Sequence, residues 1–162
     1  MTLRYIGIFT VLLAAFLISR EYSHYMKKRL RECEGFIAFI AHMRIQVGCF
    51  MRPVKELAAG FSSDVLSEVG FIDALSESDG ISEAYKKIEP RLSLSKNEKD
   101  VLELLFSSVG GCYLEEGMKI IEAAYGKMES LHCSLSEECR KNIKLVSVLS
   151  VTAAIGFLIL VI

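Results

Sequence analysis

Three histidines and five cysteines are the side chains of this 162-residue sequence that could bind a metal ion or supply a nucleophile with its base. His132, Cys133 and Cys139 come closest to such an arrangement. Their segment reads as a helix, where residues six positions apart differ in direction by about 600°, so the two cysteines point to opposite faces. We therefore expect no metal site here.

The sequence also shows no carboxylate pair placed for acid–base catalysis and no phosphate-binding loop. Glu115-Glu116 and Glu137-Glu138 are adjacent on predicted helices, so their side chains point in different directions, as on a solvated surface. No G-x-x-x-x-G-K-[ST] sequence occurs. We predict a protein without enzymatic activity and without a cofactor.

The cysteines are odd in number and contain no C-x-x-C pair. This usage is typical of reduced thiols that fill helical packing positions in a reducing compartment.

Charge is distributed unevenly, although the formal net charge is only −1. Between Arg20 and Arg31 there are five basic residues and one acidic residue, whereas between Pro53 and Cys139 there are 17 acidic and 8 basic residues. The basic run is short and has no interleaved aromatic residues, which favours anionic lipid headgroups over nucleic acid. The predicted membrane-surface residues are Lys27, Lys28, Arg29, Arg31, Arg140, Lys141 and Lys144.

Both ends of the sequence are apolar. Residues 5–19 and the eighteen residues 145–162 contain no charge, and eighteen helical residues approach the roughly 30 Å thickness of the hydrocarbon layer. Positive charge follows the first run, which favours an uncleaved anchor over a signal peptide. We predict transmembrane anchors at 1–19 and 145–162, and the basic flanks predict that residues 20–144 form a cytoplasmic helical domain in a cell-membrane protein.

Helical periodicity dominates the rest of the sequence. Apolar residues recur at steps of three and four from Cys33 to Phe50 and again from Leu114 to Cys139. Shorter helices are predicted at 53–59, 64–69, 71–76 and 81–88, and Ser95-x-x-Glu98 is a capping box that opens another. The predicted fold is all-α, a small helical bundle with two long helices continuous with the anchors. We call the two apolar faces of the long helices the seams. They suit packing within one chain or between copies, so the sequence is compatible with a monomer and with a homo-oligomer.

The ordered motifs resemble a known family. An Ile-x-x-Gly step (Ile45 to Gly48) precedes R-P-V-x-x-L at 52–57, L-S-x-x-E-x-x-V-L-x-L-L follows at 94–105, and the sequence closes on K-N-I-K-L at 141–145 and an apolar run. This set resembles stage III sporulation protein AB along essentially the whole chain. The chain departs from that family's pattern at Tyr113 and Gly117, where Asp and Gln are typical.

The resemblance implies a non-enzymatic platform in the mother-cell channel complex of endospore formation. Its domain would be similar to the cytoplasmic domains of the inner-membrane platform protein of type II secretion. Its partners would be other stage III complex proteins, above all the cytoplasmic ATPase sporulation protein AA, together with membrane lipids. We hypothesise that an acidic surface faces a partner. A surface that only keeps the domain solvated would account for the same residues equally well. These residues are Glu56, Asp64, Glu68, Asp73, Glu77, Asp79 and Glu83.

Two other interpretations stay open. One is a platform or assembly factor of another secretion or pilus system, which would have the same topology. The other is a membrane-anchored helical sensor with a ligand pocket, for which Arg44 and Gln46 beside Met43 and Val47 are the nearest polar cluster.

Overall fold

The chain is almost entirely helical in its computed structural model, which describes residues 2–50, 60–109 and 114–161. No strand occurs among these residues, and the predicted all-α class is confirmed. The elements are α1 (Thr2–Phe50), α2 (Asp64–Glu68), α3 (Phe71–Glu77), α4 (Ile81–Ile88), a 3-10 turn (Glu89–Arg91), α5 (Lys96–Ser108) and α6 (Leu114–Val161).

The helix boundaries follow local signals in the sequence. The capping box at the start of α5 is confirmed, since the Ser95 backbone N–H donates to Glu98 Oε2 at 2.6 Å. Gly70, with φ +80°, separates α2 from α3 in a left-handed conformation that suits glycine. The helix predicted at 53–59 and the predicted site residue Glu56 lie outside the described residues.

The chain divides into two compact units. One consists of residues 2–28 with 135–161, and the other is Arg29–Ser134. We call them the terminal unit and the central unit. Helices α1 and α6 each contribute to both units.

Aromatic rings from four elements form the centre of the central unit. Phe36 of α1 contacts Phe71 of α3 edge to face at a centroid distance of 5.3 Å. Phe39 also meets Phe71, at 5.2 Å, and Tyr85 of α4 meets Phe106 of α5 at the same distance. Such pairs add to the free energy gained by burying the rings. Short helices of five to eight residues are marginal alone, so this cluster holds α3 and α4 in place, and the buried Leu66 holds α2.

The predicted seams of the two long helices pack within one chain here. Phe36, Ile40 and Met43 of α1 are fully buried in the same core cluster as Ile121 and Met128 of α6. Gly35 allows the close approach of α2, because a Cβ at this position would lie 3.2 Å from Leu66 Cδ2.

Among the described side chains of the terminal unit, Met26, Leu135 and Cys139 are buried. Asn142 Nδ2 donates to Tyr22 Oη at 3.2 Å, which aligns α1 with α6 in this unit. Leu17, Leu145 and Leu149 are among its exposed large apolar side chains. Within the described residues, no helix combines the length and the apolar character needed to cross a bilayer.

Burial changes the acid–base behaviour of two core residues. Desolvation, with a smaller contribution from the Glu98 carboxylate, raises the pKa of the Cys33 thiol from 9.0 to about 12. Burial likewise raises the pKa of the Tyr85 hydroxyl, which donates to the Lys99 carbonyl at 3.3 Å. Both groups stay protonated in the folded core.

These shifts predict that the chain loses stability in alkaline solution. The Cys33 thiol of the unfolded chain ionises above its ordinary pKa of 9.0, whereas the folded chain keeps the proton until about pH 12. The unfolded state then binds fewer protons, so the free energy of unfolding falls as pH rises through this window. We expect urea midpoints of Cys33→Ala to fall less between about pH 8 and pH 10.5 than those of the unmodified chain. Cys133→Ala, at an exposed position, is the matched control; equally steep falls in both variants would contradict the prediction.

Candidate interaction surfaces

A buried ion pair fastens α5 to α1 in the central unit. Arg29 Nη2 lies 2.9 Å from Glu98 Oε1, and Arg29 Nε donates to Glu98 Oε2 at 3.0 Å. The Glu98 side chain is fully buried and that of Arg29 is 19% exposed. Because Glu98 Oε2 also accepts the Ser95 N–H, one carboxylate both caps α5 and binds α1.

A second carboxylate of α1 reinforces this attachment. Glu32 is 1% exposed, and its Oε2 accepts the Ser93 N–H at 2.7 Å. Ser93 precedes the capping box by two residues, so the segment entering α5 is held by two charges of opposite sign that lie nearly one turn apart on α1. We call Arg29, Glu32, Ser93, Ser95 and Glu98 the charged clamp.

The predicted membrane-surface residues do not all face solvent. Lys27, Lys28 and Arg31 are exposed, but the Arg29 guanidinium is engaged by Glu98 inside the central unit. The structure therefore gives Arg29 a packing role within the charged clamp. On α6, Arg140, Lys141 and Lys144 are exposed, and Lys141 lies 3.8 Å from Glu137 in a solvated pair.

The predicted acidic residues of the described part of the chain are all exposed. Asp64 and Glu68 lie on α2, Asp73 and Glu77 on α3, Asp79 in the following turn and Glu83 on α4. Contacts join α2 to α3 and α3 to α4, so these residues belong to one packed set of short helices. We call the six exposed acidic residues the acidic surface. Glu83 is partly compensated by Lys87 at 3.6 Å.

Arg44, one of the two polar residues considered for a sensor pocket, forms a cross-helix contact at the surface. Arg44 Nε lies 3.7 Å from Glu122 Oε1, with both side chains about half exposed. Its guanidinium carbon is 5.8 Å from the centroid of the Tyr125 ring. Arg44 thus packs along α6 with its charge in water.

Histidine and cysteine are dispersed in the described residues. His132 Nε2 lies 3.1 Å from Glu34 Oε1 across α1 and α6, Cys133 is exposed, and Cys33 is buried in the core. No group of three metal-ligating side chains occurs in the ranges described above.

An apolar groove runs between α5 and α6. Its volume is about 400 Å³, and Val101, Leu105, Ile120 and Ala124 contribute to its walls. Helical periodicity alone does not reveal this feature, because it depends on how two helices meet.

The charged clamp was also missed by reading the sequence. The run Lys27-Lys28-Arg29-x-Arg31 looks like one uniform basic patch. The available signal was spacing: Arg29 precedes Cys33, and Glu32 precedes Phe36, by one helical turn, so both charges share the face that carries the core.

The described residues thus define an all-helical protein with an aromatic core and separate charged and apolar surfaces. A sequence model of the family described as stage III sporulation protein AB matches residues 4–162. The chain therefore belongs to the stage III sporulation protein AB family, which confirms the resemblance and identifies it as a sporulation protein. The family is one of structural or assembly components and is not known as an enzyme family.

A solved structure titled "Stage III sporulation protein AB (SpoIIIAB)" has the same fold. It is 21% identical, with a TM-score of 0.55, over 70% of this chain and 97% of that chain. No curated protein sequence matches the chain significantly.

Because of the charged clamp, we expect substitution of Arg29 to lower the free energy of unfolding more than substitution of Arg44 on the same helix. Arg29→Met leaves the buried Glu98 carboxylate without its bidentate partner and should lower the free energy of unfolding by about 3 kcal/mol. Adding Glu98→Gln should restore part of the loss, because a neutral amide oxygen still accepts the Ser95 N–H. Urea denaturation followed by circular dichroism measures both effects.

Arg44→Met is the matched control on the same helix. Its partner Glu122 is solvated, so we expect a cost below about 1 kcal/mol. Equal costs at the two arginines would show that the Arg29 pair has no special role.

Proposed function

We propose that this chain is a membrane-anchored, non-enzymatic assembly component of the stage III sporulation complex, coupling a cytoplasmic motor ATPase to the membrane channel. The observation that carries the proposal is the family match, which extends over residues 4–162. It favours sporulation over an unrelated secretion or pilus system.

Membrane anchoring rests on the sequence in this proposal, since no described helix is long and apolar enough to span a bilayer. The full sequence has uncharged runs at 5–19 and 145–162. Basic residues lie beside each run on the side of the central sequence, as expected for spans whose connecting domain is cytoplasmic.

The register of the terminal unit supports this arrangement. Tyr22 and Asn142 are hydrogen-bonded, Arg20 is two residues before Tyr22, and Lys144 is two residues after Asn142. Two helical residues span only about 3 Å. The inner ends of the two apolar runs therefore lie at nearly one level of the helix pair. Exposed cationic side chains and a tyrosine at such a level suit an interface with anionic headgroups.

The ATPase part of the proposal uses the acidic surface. From Asp64 to Glu83 the short helices and the turn between them carry six exposed carboxylates, and no lysine or arginine occurs there. A surface of one sign steers a partner of opposite sign and fixes its orientation more than it adds affinity. A basic face on the ATPase is the chemistry that this surface would recognise.

Cysteine labelling tests the cytoplasmic placement. Cys133 is an exposed thiol of the central unit, so it should react in the native state, whereas Cys33 and Cys139 are buried. In a full-length chain with Cys49→Ser and Cys112→Ser, we expect a membrane-impermeant maleimide to label nothing in intact cells and to label the chain after permeabilisation without denaturant. Cys133→Ser is the control that removes the reporter. Labelling in intact cells would place the central unit outside and exclude a cytoplasmic motor as its partner.

Charge reversal tests the ATPase surface. The triple variant Asp73→Lys, Glu77→Lys, Asp79→Lys should lower co-purification of sporulation protein AA by about tenfold, because attraction becomes repulsion over α3 and the turn that follows it. Raising the salt concentration should weaken co-purification with the unmodified chain, so the difference between that chain and the variant should diminish. A matched reversal of three exposed acids elsewhere, Glu103, Glu115 and Glu129, should leave recovery nearly unchanged. Equal recovery with both variants, with helical content intact, would remove the acidic surface from the proposal.

A further inference from the structure

The groove between α5 and α6 is bordered by an exposed apolar side chain. Leu104 lines the groove and is 66% exposed, in a helix whose neighbouring Leu105 is fully buried. A large apolar residue that stays in water beside an apolar groove loses the free energy that burial would provide.

The opposite wall of the groove has small residues at the corresponding place. Ala123 is exposed, and Ala124 is 9% exposed. One wall thus presents a leucine that projects, and the other presents two alanines that leave space. Leu104 is therefore a knob, and the space above Ala123 and Ala124 is a hole, on the same face of the protein.

The two walls run in opposite directions. Only five residues separate the end of α5 from the start of α6, and both helices line one groove over 101–108 and 120–127. Val101 is therefore level with Lys127, and Ser108 is level with Ile120. It follows that Leu104 lies level with Ala123 and Ala124.

Opposite charges stand one turn beyond the knob and the hole. Asp100 precedes Leu104 by four residues on α5, and Lys127 follows Ala123 by four residues on α6, so each pair shares a helix face. Both charged side chains are exposed. No salt bridge between residues of the described ranges includes either one.

We propose that this face is an interface between two copies of the chain, related by a twofold axis parallel to α5 and α6. That operation lays α5 of each copy over α6 of its partner. Leu104 then enters the space above Ala123 of the partner, and Asp100 meets Lys127 of the partner. Each contact occurs twice, as in any isologous interface.

Self-complementarity is what selects a second copy over another occupant. The knob, the hole, Asp100 and Lys127 lie on one face. A twofold axis brings each knob to the partner's hole and each Asp100 to the partner's Lys127. The groove covers only part of a standard interface, so the association should be weak and concentration-dependent. It uses a different surface from the proposed ATPase contact, which lies on α2, α3 and α4.

Co-purification of two differently tagged full-length copies, in the detergent used to extract them, tests the proposal. Copies of the unmodified chain should recover each other. Leu104→Ala should reduce recovery by about tenfold, because two apolar contacts are lost together. Circular dichroism should be unchanged for this variant, since Leu104 is mostly in water in the single chain.

A charge exchange makes the test specific for the twofold geometry. Asp100→Lys sets two lysines against each other, Lys127→Asp sets two aspartates against each other, and each variant should lose recovery of itself by about tenfold. Mixing the two variants restores both opposite-charge pairs, so the mixed pair should recover each other nearly as well as the unmodified chain. Glu103→Lys, a charge reversal on α5 away from the groove, should change nothing.

Three results would overturn the proposal. Unmodified copies that do not recover each other at any accessible concentration would leave the groove to a different occupant. Recovery that survives both charge variants and Leu104→Ala would assign self-association to another face. Single-variant losses without rescue in the mixture would mean that the two charges do not meet across the interface.

Discussion

The pairing of Arg29 with Glu98 is the interaction on which the central unit depends. Removing a carboxylate from water costs several kcal/mol, and Glu98 is completely buried. That cost is offset because the carboxylate receives two hydrogen bonds from Arg29 and one from the Ser95 backbone. The same group caps α5 and fixes the first turn of that helix on α1. Once α5 is held, Phe106 is presented to the rings of α1, α3 and α4.

The aromatic cluster then determines which residues are left for the surface. Phe36, Phe71 and Phe106 fill the centre, and each belongs to a different helix. With its apolar side turned inward, α3 has Asp73 and Glu77 in water. The acidic surface is thus a consequence of core packing as well as of composition. Helices of five to eight residues would not persist without that core, so the carboxylates are positioned only in the folded domain.

Local signals in the sequence predicted the helices and much of the core. The three-and-four spacing of Phe36, Ile40 and Met43 identified the buried face of α1, and Ser95 with Glu98 identified the start of α5. Periodicity places Arg29 and Glu32 on that same face but could not show that they are buried, because a charge near an apolar stripe is usually solvated. Their burial depends on partners more than sixty residues away. The groove was equally out of reach, since it requires the relative placement of Leu104 and Ala123.

Phe71 and Phe106 connect the two surfaces that we assign to partners. Their rings stack at a centroid distance of 6.0 Å with an interplanar angle of 29°. Phe71 belongs to α3, which carries part of the acidic surface, and Phe106 belongs to α5, which carries Leu104 and Asp100. Close-packed interiors transmit displacement because they have few voids to absorb it. A displacement of α3 would therefore reach the helix that forms one wall of the groove through this ring contact, and an interface between two copies would in turn restrain α3. Energetic coupling of this kind is reciprocal, so self-association and partner binding on this domain would each change the affinity of the other.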